Sequence, residues 1–200
     1  MSLFRRLLNP KGKSNQKAGI SDRGKYYPEE KLPVDEKFTY NFNRNGGKFL
    51  YCENLEEVLE AFDNILLEND WYEKEVFCIN DQLKSRFEGY NLNFGKKANA
   101  TFFLSTCESL VATNGSILLS SNQIKEKKLN ELPTNFIIFA TTSQLVDTIS
   151  EGLRTIKNHC EGHIPSNITT IQDFETEKEK DFMSYGSSTK NLYLLLLEDL

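Results

Sequence analysis

Hydrophobic positions along this chain follow two patterns that alternate. Compact apolar runs, KFLYC (48–52), EVFC (75–78), TFFL (101–104), NFIIF (135–139) and NLYLLLL (191–197), have the length and β-branched or aromatic content of strands. NFIIFATT holds a continuous apolar run, as in a strand buried on both faces, and NLYLLLLED closes the chain as a central strand. Between these runs the apolar residues are spaced three and four apart. The clearest case places Leu55, Val58, Leu59, Phe62, Ile65 and Leu66 on one helical face, with Asn54 as N-cap and Glu57 completing a capping box.

The remaining elements follow from the same signals. Phe38 and Phe42, four apart, suit a short helix stopped at Gly46-Gly47, although DEKFTYNFNRNGG also alternates enough for a strand. NDQLKSRF predicts a short helix, and a loop is expected around Gly95 to Asn99. SLVA and SILLSS, separated by Thr113-Asn114-Gly115, predict a β-hairpin, because Asn-Gly favours the tight turns that join antiparallel strands. QIKEKKLNEL predicts a polar helix halted by Pro133. Thr141 with Gln144 predicts a helix over 141–158 that turns Leu145, Val146, Ile149, Leu153 and Ile156 inward. NITTI adds a further strand. Strands alternating with helices imply an α/β fold with a mostly parallel sheet, helices on both sides and one antiparallel hairpin.

Composition narrows the class. Two hundred residues suffice for a real core, and with 38% hydrophobic and 26% charged residues the chain reads as globular. Residues 1–33 are rich in Lys, Gly and Pro and poor in apolar side chains, which predicts a basic, disordered leader before a single α/β domain over 34–200. Residues 1–26 hold seven Lys/Arg and one acid, so the net charge of −5 conceals a strongly acidic body, which argues against nucleic-acid binding by the domain. No run is long enough to span a bilayer, and the N-terminus lacks the apolar core of a secretory signal; the expectation is a cytoplasmic protein with no transmembrane segment.

Strong chemical motifs are missing. There is no phosphate-binding G-x-x-x-x-G-K-[ST], no G-x-G-x-x-G, no G-x-S-x-G and no H-E-x-x-H. Cys52, Cys78, Cys107 and Cys160 are scattered, which suits reduced packing thiols rather than a zinc or iron–sulfur site. His159 and His163 beside Cys160 suit a helix C-terminus better than a metal site, so no metal and no cofactor are expected. Cys107 beside Glu108 has the form of a nucleophile–acid pair, but Cys107 follows an apolar strand and reads as packed. Two small-residue loops are the candidate ligand sites. The first offers Asn114, Gly115 and Ser116 with Ser120 and Ser121; the second, at 184–190, offers Gly186, Ser187, Ser188 and Lys190. Glycine admits close backbone approach, and hydroxyls and N–H groups hold phosphate or carboxylate, so a small anion is the expected ligand, with Lys128, Arg154 and Lys190 as cationic partners. Both loops are also the composition that ordinary turns require.

Ala112-Thr113-Asn114-Gly115-Ser116, then Leu132-Pro133, NFIIFATT and the helix after Thr141, and a small-residue loop before the last apolar strand, together resemble the LUD domain family, the lactate-utilisation B/C group. The resemblance covers about 35–200 and is nearest to the short, stand-alone bacterial versions. It implies a three-layer α/β sandwich of the NagB/RpiA/CoA-transferase-like kind. It also implies a place in oxidation of L-lactate to pyruvate alongside separate iron–sulfur subunits. Two segments depart from the C-type pattern. Where Gly-Pro-Ser with a following Asp-Ile-Glu is usual, this chain has Ser166-Asn167-Ile168-Thr169-Thr170; where Gly-x-His-Gly-Pro is usual, it has Ser184-Tyr185-Gly186-Ser187-Ser188. The resemblance assigns no catalytic residue here. Three functions stay open: a non-cofactor subunit or small-ligand-binding component of lactate or organic-acid oxidation, a sugar-phosphate or CoA-thioester enzyme on the same fold, or a degenerate structural or regulatory module.

Overall fold

The apolar runs assemble into two sheets in the computed structural model, which describes residues 32–95, 99–159, 164–174 and 190–199. In chain order the elements are α1 (Val34–Arg44), β1 (Lys48–Cys52), α2 (Leu55–Asn69), β2 (Glu75–Phe77), α3 (Asp81–Arg86), β3 (Asn93–Gly95), β4 (Phe102–Ser105), β5 (Ser109–Val111), β6 (Ser116–Leu119), α4 (Ser121–Ile124), β7 (Asn135–Thr141), β8 (Leu145–Val146), α5 (Ile149–His159), β9 (Thr169–Ile171) and β10 (Asn191–Leu197). Six strands form a wholly parallel sheet in the order β1-β10-β7-β4-β2-β3. A smaller sheet has the order β8-β5-β6-β9.

The large sheet is the middle of a three-layer α/β sandwich. In β7 and β10 alternate residues face opposite layers, and both layers are apolar, which is why these two strands lack polar alternation. Ile137, Phe139, Tyr193 and Leu195 pack with Val58, Phe62, Ile65 and Leu66 of α2 and with Leu83 and Phe87 around α3. Phe136, Ile138, Leu192, Leu194 and Leu196 meet Phe38 and Phe42 of α1 together with Leu110, Ile117 and Leu119 of the small sheet. The third layer is therefore composite, and α5 closes the far side of the small sheet through Ile156 against Val111 and Leu118.

Local sequence explains the main helices. The Asn54 side chain accepts from the Glu57 amide at 2.9 Å, and Glu57 Oε2 accepts from the Glu53 amide at 2.8 Å, one residue before the predicted box partner. The 34–44 segment is helical, and its two phenylalanines, 0% exposed, stack on one face. Asn93–Gly95 adds an edge strand, β3, paired with β2, just ahead of the expected loop, of which residues 96–98 lie outside the described residues. Two predicted helices are corrected. The predicted helix in QIKEKKLNEL shrinks to the single turn α4, because Lys125 adopts φ 55° and ends it; a second short turn, Leu129–Glu131, follows. The helix predicted from Thr141 begins only at Ile149. Gln144 does reach back to the Thr141 amide at 2.9 Å, but Leu145 and Val146 then pair with β5 instead of entering a helix. Of the five residues expected to face inward there, Ile156 is buried while Ile149 and Leu153 are exposed.

The Asn-Gly hairpin forms as expected between β5 and β6 but belongs to the small sheet, and helix α1 lies directly on its turn. Gly115 has φ 65°, and a Cβ built there would stand 2.4 Å from both the Asn41 carbonyl carbon and the Phe42 nitrogen. Asn41 Nδ2 donates to the Ala112 carbonyl at 2.8 Å and Asn45 Nδ2 to the Asn114 carbonyl at 2.7 Å. Lys37 pairs with Asp147 at 2.6 Å. Gly115→Ala is expected to lose about 2 kcal/mol or more, through left-handed backbone and displacement of α1. Urea unfolding of the two proteins checks this; equal midpoints would contradict the docking account.

Candidate functional site

Open parallel sheets bind ligands outside the carboxyl ends of their strands, at the place where successive connections leave in opposite directions. Here that place lies between β2 and β4. From β2 the chain moves outward to β3, whereas from β4 it crosses the small sheet and returns at β7. Close to this point a cleft of about 360 Å³ is lined by Ile124, Lys127, Lys128, Leu129, Asn130, Asn167 and Thr169.

The cleft is built by two irregular stretches that face each other. After α4 the positive φ of Lys125 turns residues 125–128 away from the helical path, and the short turn Leu129–Glu131 follows. Opposite them Asn167, at φ 51°, leads into β9. Its side-chain amide donates to the Lys125 carbonyl at 2.8 Å and the Lys127 carbonyl at 2.9 Å, latching one wall to the other. The Lys127 ammonium stands 5.9 Å from the ring centroid of Phe77, the last residue of β2, so the cleft adjoins the carboxyl end of the large sheet. Nearby acids are turned to other partners. Glu131 Oε2 accepts from the Lys128 amide at 2.7 Å, and Glu126 Oε1 from the Ser166 hydroxyl at 3.1 Å. Two ammonium groups with amide and hydroxyl donors over the apolar Ile124 and Leu129 form a donor-rich surface suited to a small anion.

The residues singled out in the sequence fall in separate places. Asn114, Gly115 and Ser116 lie at one end of β6 beneath α1, and Ser120 and Ser121 at the other, so the four residues of β6 hold the two halves roughly 13 Å apart. Asn114 Oδ1 accepts from the Ser116 hydroxyl at 2.7 Å, and Ser116 is fully buried. Ser120 caps α4: its Oγ accepts from the Asn122 amide at 3.1 Å and donates to Glu108 at 2.6 Å. The Ser121 amide donates to the Ser166 carbonyl at 2.9 Å, and Ser121 opens the turn that carries Ile124 to the cleft. Lys190 is buried immediately before β10. Gly186, Ser187 and Ser188 lie outside the described residues, as do Cys160 and His163. Arg154 is exposed on α5, behind the small sheet. Of the three expected cationic partners, Lys128 alone lines the cleft.

Lys127, Asn130, Asn167 and Thr169 carry no sequence motif that marks them as site residues. The available signal was the run of lysines at 125, 127 and 128 ahead of Leu132-Pro133, which a helical reading turns into a solvated face.

Other chemistry near the strand ends is structural. Cys52, Cys78 and Cys107 are buried free thiols. Burial, then the nearby Glu57, pushes Cys52 up to about 11; burial pushes Cys78 up to about 11. Burial, with a smaller contribution from Glu108, raises Cys107 further, which removes it as a thiolate nucleophile. Glu108 instead accepts from Ser120 and, at 2.9 Å, from Asn122. No group of three or more His, Cys, Asp or Glu side chains placed to hold a metal occurs among the described residues. No described helix is long and apolar enough to cross a membrane.

At the end of β10, Asp199 ties the C-terminal segment to the connection after β7. Its carboxylate accepts from the Thr142 hydroxyl at 2.8 Å, the Ser143 amide at 2.9 Å and the Ser143 hydroxyl at 2.7 Å. Partial burial opposes the charge, but the hydrogen bonds from Ser143, Thr142 and Thr141 overcome it and hold the group at about 2. A lowered carboxyl contributes stability that is complete above its unfolded value and lost as pH falls toward 2. Asp199→Asn is therefore expected to cost at most about 1 kcal/mol at neutral pH, given its exposure. The difference from wild type should vanish on acidification to about pH 2, as read by pH-dependent thermal melts.

The family model of the LUD domain matches residues 70–196. No curated protein matches the chain. Among solved structures, a DUF162 family protein from Deinococcus radiodurans superposes with a TM-score of 0.56 at 14% identity, covering 82% of this chain and 96% of the other. At that identity the likeness concerns the fold alone.

Proposed function

Because the chain belongs to the LUD domain family, which is linked to lactate utilisation, we propose that it serves the oxidation of lactate or a related small organic acid. In this reading it is a small-ligand-binding component or non-cofactor subunit that works beside separate iron–sulfur proteins. The observation that carries the reading is the convergence of Lys127, Lys128 and Asn130 on one cleft next to the carboxyl end of β2, with Asn167 committing its amide hydrogens to latching the walls together. Ammonium and amide donors over an apolar floor suit a short carboxylate, whose charged end needs donors and whose carbon chain needs cover from water.

The segment that departs from the C-type pattern, 166–170, forms part of this wall through Asn167 and Thr169. Neutral residues stand there in place of the family's acids, which leaves the cleft more receptive to an anion. Ser120 and Ser121 act from behind, as the base of the turn bearing Ile124.

Calorimetric titration with pyruvate and with lactate tests the reading. Binding is expected in wild type, with affinity falling about tenfold for each ammonium removed in Lys127→Met and Lys128→Met. Unchanged affinity in the double variant would move the ligand elsewhere. Competition by a sugar phosphate or CoA at lower concentration than pyruvate would favour the thioester or sugar-phosphate enzyme. The subunit role is tested by affinity purification of the full chain from its native cells: co-purifying iron–sulfur proteins are expected, and their absence overturns that role.

A further inference from the structure

Lys190 is 3% exposed, yet among the described residues no carboxylate is bonded to its ammonium. Its Nζ donates to two main-chain carbonyls, Leu132 at 3.1 Å and Pro133 at 2.9 Å, and lies 5.1 Å from the ring centroid of Phe136. A buried cation is costly, and neutral carbonyls offset that cost less fully than a carboxylate does. The Lys190 ammonium holds two successive main-chain carbonyls of one segment in place.

It holds the far end of a cleft wall. Lys128, Leu129 and Asn130 line the cleft, and two residues later the chain reaches Leu132 and Pro133. Within the wall, Glu131 N donates to the Lys128 carbonyl at 3.0 Å and Leu132 N to the Leu129 carbonyl at 3.3 Å. The near end is latched by Asn167, and the far end by Lys190. We propose that Lys190 is a positioning residue whose ammonium fixes the 128–133 wall, and with it Lys128 and Asn130, in the arrangement that receives an anion. The proposal rests on the reading of the cleft as an anion site.

The wall is then sensitive to pH. Burial lowers the Lys190 ammonium from 10.5 to about 8. Charged residues on the described segments around it are Asp173, whose carbonyl accepts from the Lys190 amide at 3.2 Å, and Lys128 and Glu131 of the wall; the shift follows from burial. Above that pH the amine is neutral and its hydrogen bonds to the two carbonyls weaken.

Hydrogen exchange and pyruvate titration on wild type, Lys190→Met and Lys190→Arg test the proposal together. At about pH 7, Lys190→Met should speed exchange of the 128–134 amides about tenfold and weaken pyruvate binding, while α2 stays protected. Lys190→Arg keeps its charge and should retain affinity at about pH 9, where wild type declines. Unchanged exchange in Lys190→Met overturns the positioning role, and parallel decline of wild type and Lys190→Arg overturns its pH dependence. If Lys190→Met does not fold, the pH comparison with Lys190→Arg decides. If wild type binds no pyruvate, the anion reading fails and the exchange comparison still judges the wall.

Discussion

The structure depends on burying β7 and β10 side by side, each on both faces. Their seven-residue parallel register, from Asn191 beside Asn135 to Leu197 beside Thr141, leaves no solvent-facing side. Two separate layers must therefore cover them, and the chain supplies α2 and α3 for one, and α1 with the small sheet for the other. Removing either cover would expose a continuous apolar surface, so the two layers are coupled through the same two strands.

That demand explains why the hairpin serves as a platform. The small sheet turns its apolar side to the large one, and α1 must lie across the hairpin turn to bring Phe38 and Phe42 into the core. Only glycine at 115 allows the helix backbone to come so close. The polar groups of Asn41, Asn45 and Lys37 then meet turn carbonyls, a hydroxyl and a carboxylate, so the interface is satisfied on both its apolar and polar sides.

The candidate cleft arises from the same economy of cover. Where the chain passes between β6 and β7 it does not remain helical, because Lys125 takes a positive φ and Pro133 bars continuation. Irregular backbone at the edge of a layered fold needs partners for its carbonyls, and here Asn167 and Lys190 provide them. A wall held by two side chains is a better presenter of Lys128 and Asn130 than a free loop, because less order must be gained on binding.

The strand runs, the α2 cap, the hairpin turn, the α/β class and the family resemblance are all legible in the amino-acid order alone. Each is encoded locally: in apolar runs such as NFIIF and LYLLLL, in Asn54 with Glu57, in Asn114-Gly115. Tertiary structure decided which sheet each strand joined, that Leu145-Val146 would pair with β5 instead of beginning a helix, and that the lysines at 127 and 128 would line a cleft with Asn167. Those outcomes depend on partners some 40 residues away or on a surface offered by another layer, and periodicity carries no record of either. The hairpin's small residues read equally well as a cradle or as a turn. Only the helix lying on them decided the matter in favour of packing, and only the buried carbonyl contacts gave Lys190 a place in the wall instead of at an open loop.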